Sequence, residues 1–184
     1  MSTERIILGI DPGTTVTGYG IIRTSGNKAE LVTLGVIELQ KIKDHYTKLK
    51  MIFDRVLQLI DEYHPDELAI EAPFYGKNVQ SMLKLGRAQG AAISAALSRS
   101  IPIFEYAPRK IKMAITGVGS ASKEQVSTLL QKILNFHENP HLLDATDGLA
   151  AAVCHFFQQT VPSREKGYHS WKEFIRKNPG RLKQ

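Results

Sequence analysis

Residues 8–20 read LGIDPGTTVTGYG, and the fold follows from them. Ile6, Ile7, Leu8 and Ile10 form an apolar run that closes on a single carboxylate, Asp11. The chain then turns at Pro12-Gly13 into a second segment, 16–24, whose side chains alternate. A buried strand, a tight turn and a returning strand are the expected result. Asp-Pro-Gly also favours turns by itself, so Asp11 has a purely local reading as well.

Ser25-Gly26-Asn27 marks a hairpin turn into a third strand over 28–39. Leu49, Ile52, Phe53, Val56, Leu57 and Ile60 recur at spacings of three and four, which predicts an amphipathic helix over 44–63, ended before Pro65. Residues 67–71, ELAIE, predict a short buried strand ending on Glu71. A helix over about 78–98 is rich in small residues (Gly86, Ala88, Gly90, Ala91, Ala92), and 101–106 predicts a fifth strand. Residues 108–116 predict a helix and 117–120 a loop. Ser122 with Gln125 reads as a capping box opening a helix to about 135, and a last helix begins near Asp144. Three consecutive strands followed by helix-strand-helix-strand predict an α/β fold: a five-stranded mixed sheet flanked by helices.

Asp144 and Asp147 in LLDATDGLAAAV join Asp11 and Glu71 as acidic residues placed where burial is expected. Buried carboxylates are costly unless paired or metal-bound, and no matching number of cations lies nearby in sequence. Hard divalent ions with oxygen ligands answer that need, Mg²⁺ foremost. Two-metal phosphodiester hydrolysis requires ions roughly 4 Å apart, held by carboxylates that leave positions open for water and phosphate. Asp11 on a central strand is the bridging candidate, Glu71 ends a neighbouring strand, and Asp144 and Asp147 share one helix face. Each has an ordinary alternative: helix capping for the Asp pair and a strand end for Glu71.

With 184 residues, 42% hydrophobic and 23% charged, one globular domain is expected. The boundaries read as a domain over 1–160 and a basic tail over 161–184, in which Trp171, Phe174 and Ile175 suit one short amphipathic turn. Cys154, the single cysteine, permits no intrachain disulfide, and no targeting segment or membrane span is legible, so a reducing, cytoplasmic setting without membrane attachment is expected. The net charge of +6 is unevenly spread. Residues 73–123 carry eight basic residues against Glu105, net +7, and 161–184 carry seven against two, net +5. Basic surface flanking a carboxylate centre suits a polyanion that needs metal, although a charge run is also simply a solvated face.

The motifs LGIDPGTTVTGYG, AIEAPFYGKNVQSMLKLGRAQG, FEYAPRKIKMAITGVGSASKEQV and DATDGLAAAVCH, in that order and spacing, resemble the RuvC-type Holliday-junction resolvases of bacteria over 8–155, 148 residues. The resemblance implies a ribonuclease-H-like fold, a homodimer and Mg²⁺-dependent paired nicking of four-way junction DNA in recombination and repair. It further implies two ions per site, with Mn²⁺ able to substitute, and a branch-migration motor as partner. It assigns Asp11, Glu71, Asp144 and Asp147 as the metal-binding catalytic set, Phe74 as an aromatic near the junction centre, and Lys112 and Lys123 as phosphate-contacting cations, Lys123 close to the chemistry. Lys77, Asn78, Lys84 and Arg87 fall in the matched basic stretch and join the DNA-binding candidates. The tail after Thr160 departs from shorter members.

The residues themselves agree. Phe74 and Tyr75 lie in a loop directly after Glu71, where exposed aromatics stack on unpaired bases, and core packing is their alternative. Lys123 at a helix start suits a phosphate bound there. His137, His141 and His155 around the last helix read as solvated or capping. Of the two predicted helices offering a dimer surface, 78–98 is favoured because Gly86, Gly90 and Ala91 allow close approach. Two other functions share these features: a ribonuclease-H-like nuclease acting on RNA or hybrid, and an actin-like ATP-binding domain, whose phosphate loop Asp11-Pro-Gly-Thr-Thr resembles. The latter needs a second lobe with its own loop.

Overall fold

A computed structural model of the chain describes residues 4–73, 78–136, 143–160 and 176. Phe74, Tyr75, Lys77, His137, His141 and the apolar residues of the tail, singled out above, lie outside them.

The strands are β1 (Glu4–Asp11), β2 (Val16–Ser25), β3 (Lys28–Glu38), β4 (Glu67–Glu71) and β5 (Ile103–Tyr106), in sheet order β3-β2-β1-β4-β5. β1, β2 and β3 form an antiparallel meander, while β4 and β5 run parallel to β1, so the expected mixed sheet is present. The helices are α1 (His45–Tyr63), α2 (Val79–Leu97), α3 (Pro108–Thr116), α4 (Lys123–Leu134) and α5 (Leu143–Thr160).

β1 is central and buried on both faces, which explains its continuous apolar run. Ile7, with Ile22 and Ala69, packs under α3, α4 and α5; Leu8 and Ile10, with Leu68 and Ile70, pack under α1 and α2. The period-two alternation of side chains thus divides one sheet between two cores. Each fully buried Ile or Leu contributes about 1.5–3 kcal/mol against exposure.

β5 begins two residues later than its apolar pattern suggested. Ser100 adopts φ 58°, the Ile101 amide still donates to Ala96 O, and Pro102 has no N–H to give. The predicted capping box is formed: the Gln125 amide donates to Ser122 Oγ, and the Ser122 amide donates to Gln125 Oε1. His155 is neither solvated nor capping. It is 1% exposed, accepts from Tyr106 Oη at 2.6 Å and donates through Nε2 to Glu67 at 3.0 Å. Burial holds its ring neutral, below its ordinary pKa, against the pull of Glu67.

Candidate active site

The parallel register of β1 and β4 pairs Ile10 with Ile70, so Asp11 and Glu71 leave the C-terminal ends of adjacent strands together. α5 crosses the face of β1 and β2 at unusually short range. A Cβ on Gly18 would stand 1.9 Å from Asp144 O, and one on Gly148 would stand 2.5 Å from Gly18 O. Glycine at these two places lets the first turn of α5 reach the strand ends, which sets Asp144 and Asp147 beside Asp11. Asp11 and Glu71 line a 140 Å³ cleft with Pro12, Ala72, Pro73 and Leu85 of α2.

Lys123, the first residue of α4, reaches across this site. Its ammonium donates to Asp144 Oδ1 at 3.2 Å and also to Asp147 Oδ2. The two aspartates differ in setting: Asp147 is 16% exposed and Asp144 55%. The burial expected of all four acids therefore fails for Asp144, whose first-turn position projects it outward.

Electrostatics follow from that crowding. Burial first, then repulsion from Asp147, pushes Asp11 up to about 7, against the pull of Lys123. Glu71 is pushed up to about 8 by burial and by Asp11 and Asp147, with Lys123 and Lys112 opposing. Asp147 is raised by burial, although Lys123 counters it. Burial works against the charge on Lys123, but its hydrogen bonds to Asp147 and Asp144 prevail and hold its pKa above the ordinary lysine value.

Three mostly buried carboxylates against one bridging lysine and a more distant Lys112 cannot all ionise without cost, which is what the raised values of Asp11 and Glu71 record. An all-oxygen donor set of this kind fits a hard divalent cation. Among the described residues no three acidic, histidine or cysteine side chains close on one point as a formed metal centre. Lys123, rather than a third carboxylate, draws Asp144 and Asp147 together.

Of the DNA-contact candidates, Lys112 on α3 is half-buried near Glu71, while Lys84 and Arg87 are exposed on α2. Asn78 caps α2, its side chain accepting from the Ser81 amide at 3.1 Å. Two residues behind the site escaped the sequence reading. Gln89 is 8% exposed on the inward face of α2 and donates to Glu105 Oε2 at 3.1 Å and to Glu71 O at 3.4 Å. Lys48 of α1 donates to Thr14 O at 2.7 Å, tying down the loop after Asp11. The signal for Gln89 was a polar residue in an otherwise alanine stripe (Ala88, Ala92, Ala95, Ala96).

The sequence profile of the family described as Crossover junction endodeoxyribonuclease RuvC matches residues 7–155. Proteins so described from Bacteroides fragilis and Porphyromonas gingivalis are 64% and 58% identical over 182 and 185 residues, spanning 98% of this chain in both cases and 97% and 98% of theirs. Among solved structures, Thermus thermophilus RuvC in complex with Holliday junction substrate is similar at TM-score 0.78 and 30% identity, over 85% of this chain and 95% of that one. The fold alone is shared with the yeast mitochondrial Holliday junction resolvase Ydc2, at TM-score 0.59 and 15% identity, over 83% of this chain and 79% of that one. The five-stranded mixed sheet with flanking helices is the ribonuclease-H-like fold of these resolvases.

Proposed function

The chain belongs to the RuvC family of crossover junction endodeoxyribonucleases, and from that membership we propose which of its residues cut DNA and how. It is an endonuclease that resolves four-way DNA junctions in recombination and repair. Asp11, Glu71, Asp144 and Asp147 hold two Mg²⁺ ions, which Mn²⁺ can replace. The ions supply an activated water and charge stabilisation at the scissile phosphate.

The chain's own groups do the rest. Asp11 and Glu71, fixed on rigid strand ends, set the cut position. Lys123 exchanges its carboxylate partners for phosphate and offsets charge developing on it, while Lys112 anchors the backbone beside it. Lys77, Asn78, Lys84 and Arg87 extend the contact along the strand, and Phe74 stacks on bases at the junction centre. The observation that carries this reading is the crowding of Asp11 and Glu71, at adjacent strand ends, with Asp147 of α5 around one lysine.

Two cuts per junction need two active sites, so the protein works as a homodimer. Exposed Val79 and Leu83, with Met82, Gly86 and Arg87, shape an apolar groove on α2 that suits that contact. A branch-migration motor is the expected partner on the same junction. Residues 1–160 form the nuclease body and 161–184 an appended basic tail. None of the described helices is long and apolar enough to cross a membrane; action on DNA supports a cytoplasmic location. Cleavage of a four-way junction compared with linear duplex and RNA–DNA hybrid tests the reading, with junction cutting dominant as the expected result.

A further inference from the structure

We propose that the cleft beside Asp144 holds one nucleobase of the strand being cut, and so sets which base is accepted next to the scissile phosphate. The inference rests on the nuclease reading above and adds a subsite to it.

The cleft has a volume of 420 Å³, within the range of roughly 300–1,000 Å³ common for small-molecule sites. Val16 at the start of β2, Val36 and Glu38 at the end of β3, and Gln40, Lys41 and Ile42 beyond it form its walls, with Asp144 at one side. Its strand lining comes from β2 and β3, on the opposite side of β1 from β4, and it shares no lining residue with the cleft of Asp11 and Glu71.

Its walls are preformed. Val16 pairs with Glu38 across the β2–β3 ladder, the Leu39 amide donates to Thr15 O at 2.8 Å, and the Ile42 amide donates to Leu39 O at 3.2 Å. Leu39 itself is fully buried, which pins the turn to the body. The loop that shapes the cleft is therefore tied to the loop that follows Asp11.

Chemistry decides between base and backbone as the occupant. Glu38 and Asp144 both line the cleft against the single cation Lys41, so its interior has no excess of positive charge to draw in a phosphate. Half-buried Val16, Val36 and Ile42 offer instead an apolar wall for the flat face of a base. Glu38 accepts from ring N–H or exocyclic amino groups, and Gln40 both donates and accepts. Lys41 is exposed beside them, placed for the phosphate of the same nucleotide. Contacts to bases, unlike those to phosphates, carry sequence information.

The test uses four-way junctions carrying a single abasic nucleotide walked across the positions flanking the cut, with wild type, Gln40→Ala and Val36→Trp. In wild type, loss of the base at one position slows cutting by about tenfold, the scale of a lost base contact. Val36→Trp fills the cleft, cuts the intact junction as slowly as wild type cuts that abasic one, and shows no further loss from the abasic position. Gln40→Ala narrows the rate differences among the four bases there while junction affinity holds. If Val36→Trp does not fold by thermal melt, Gln40→Ala decides alone. The inference is overturned if no single position matters, or if wild type and variants lose the same factor at it. Wild type that cuts no junction with Mg²⁺ or Mn²⁺ overturns the nuclease reading and this one with it.

Discussion

Lys123 Nζ stands 3.2 Å from Asp144 Oδ1, joining the first turns of α4 and α5 across 21 residues of chain. The same ammonium also bonds Asp147, so one cation organises two of the four candidate ligands. Because both lysine and carboxylates are partly solvated, the pair is a weak source of stability and a strong source of local field. On the proposed mechanism, ion binding would compete with this lysine for the aspartates.

Replacing Lys123 with Ala is expected to slow cutting and to lower the slope of log affinity against log salt by about one phosphate contact. Lys123 also depresses Asp11, Glu71 and Asp147, so the rising limb of the rate–pH profile should move to higher pH. An unchanged salt slope and pH profile would remove Lys123 from the site.

Asp11 and Glu71, raised from 3.8 to about 7 and from 4.5 to about 8, bind protons more tightly folded than unfolded. Their contribution to stability is most favourable below the unfolded values and is lost as pH rises through the folded ones. Protein in chelator should therefore lose thermal stability from about pH 4 to about pH 8 through these groups. Since Mg²⁺ favours the ionised carboxylates, it should raise Tm more at pH 8.5 than at pH 5.5. Equal shifts at both would contradict the assignment of these two residues as ligands.

Gln89→Leu tests the support behind Glu71. Loss of its hydrogen bonds should cost about 1 kcal/mol of stability. The informative readout is the Mg²⁺ concentration for half-maximal cutting, which should rise because the strand end carrying Glu71 is less firmly held. A fall in Tm with unchanged Mg²⁺ dependence would make Gln89 a packing residue only.

For the α2 groove, Leu83→Asp places a charge on an apolar residue that is 52% exposed. If α2 pairs with its copy, sedimentation should show monomer, with Tm of the body little changed and paired nicking reduced to single, uncoupled nicks. A variant that remains fully dimeric rules out this face.

Much of this site was legible because it hangs on short-range rules. The run Ile6–Ile10 read as a buried strand with Asp11 closing it, and the strand is there. ELAIE placed Glu71 by the same logic, and the three-residue spacing put Asp144 and Asp147 on one face. What escaped depends on partners distant in sequence. His155 is buried because Tyr106, 49 residues away, and Glu67, 88 away, satisfy its ring. The start of β5 slipped because hydropathy at Ile101 and Pro102 does not reveal that one closes the preceding helix and the other lacks an N–H. Asp144 was expected buried because its neighbours are apolar, yet its place in the first turn of α5 leaves it exposed while Asp147, one turn on along the same face, is covered.

On the proposed mechanism Asp11 holds metal and is required for cutting, not for recognition. The most direct measurement compares wild type with Asp11→Asn on one labelled four-way junction, scoring cleavage in Mg²⁺ and binding in Ca²⁺. Wild type is expected to make paired nicks, and Asp11→Asn to make none while binding the junction as tightly or more so, since a negative charge has left the DNA face. Folded Asp11→Asn protein that nicks at near wild-type rate would contradict the account.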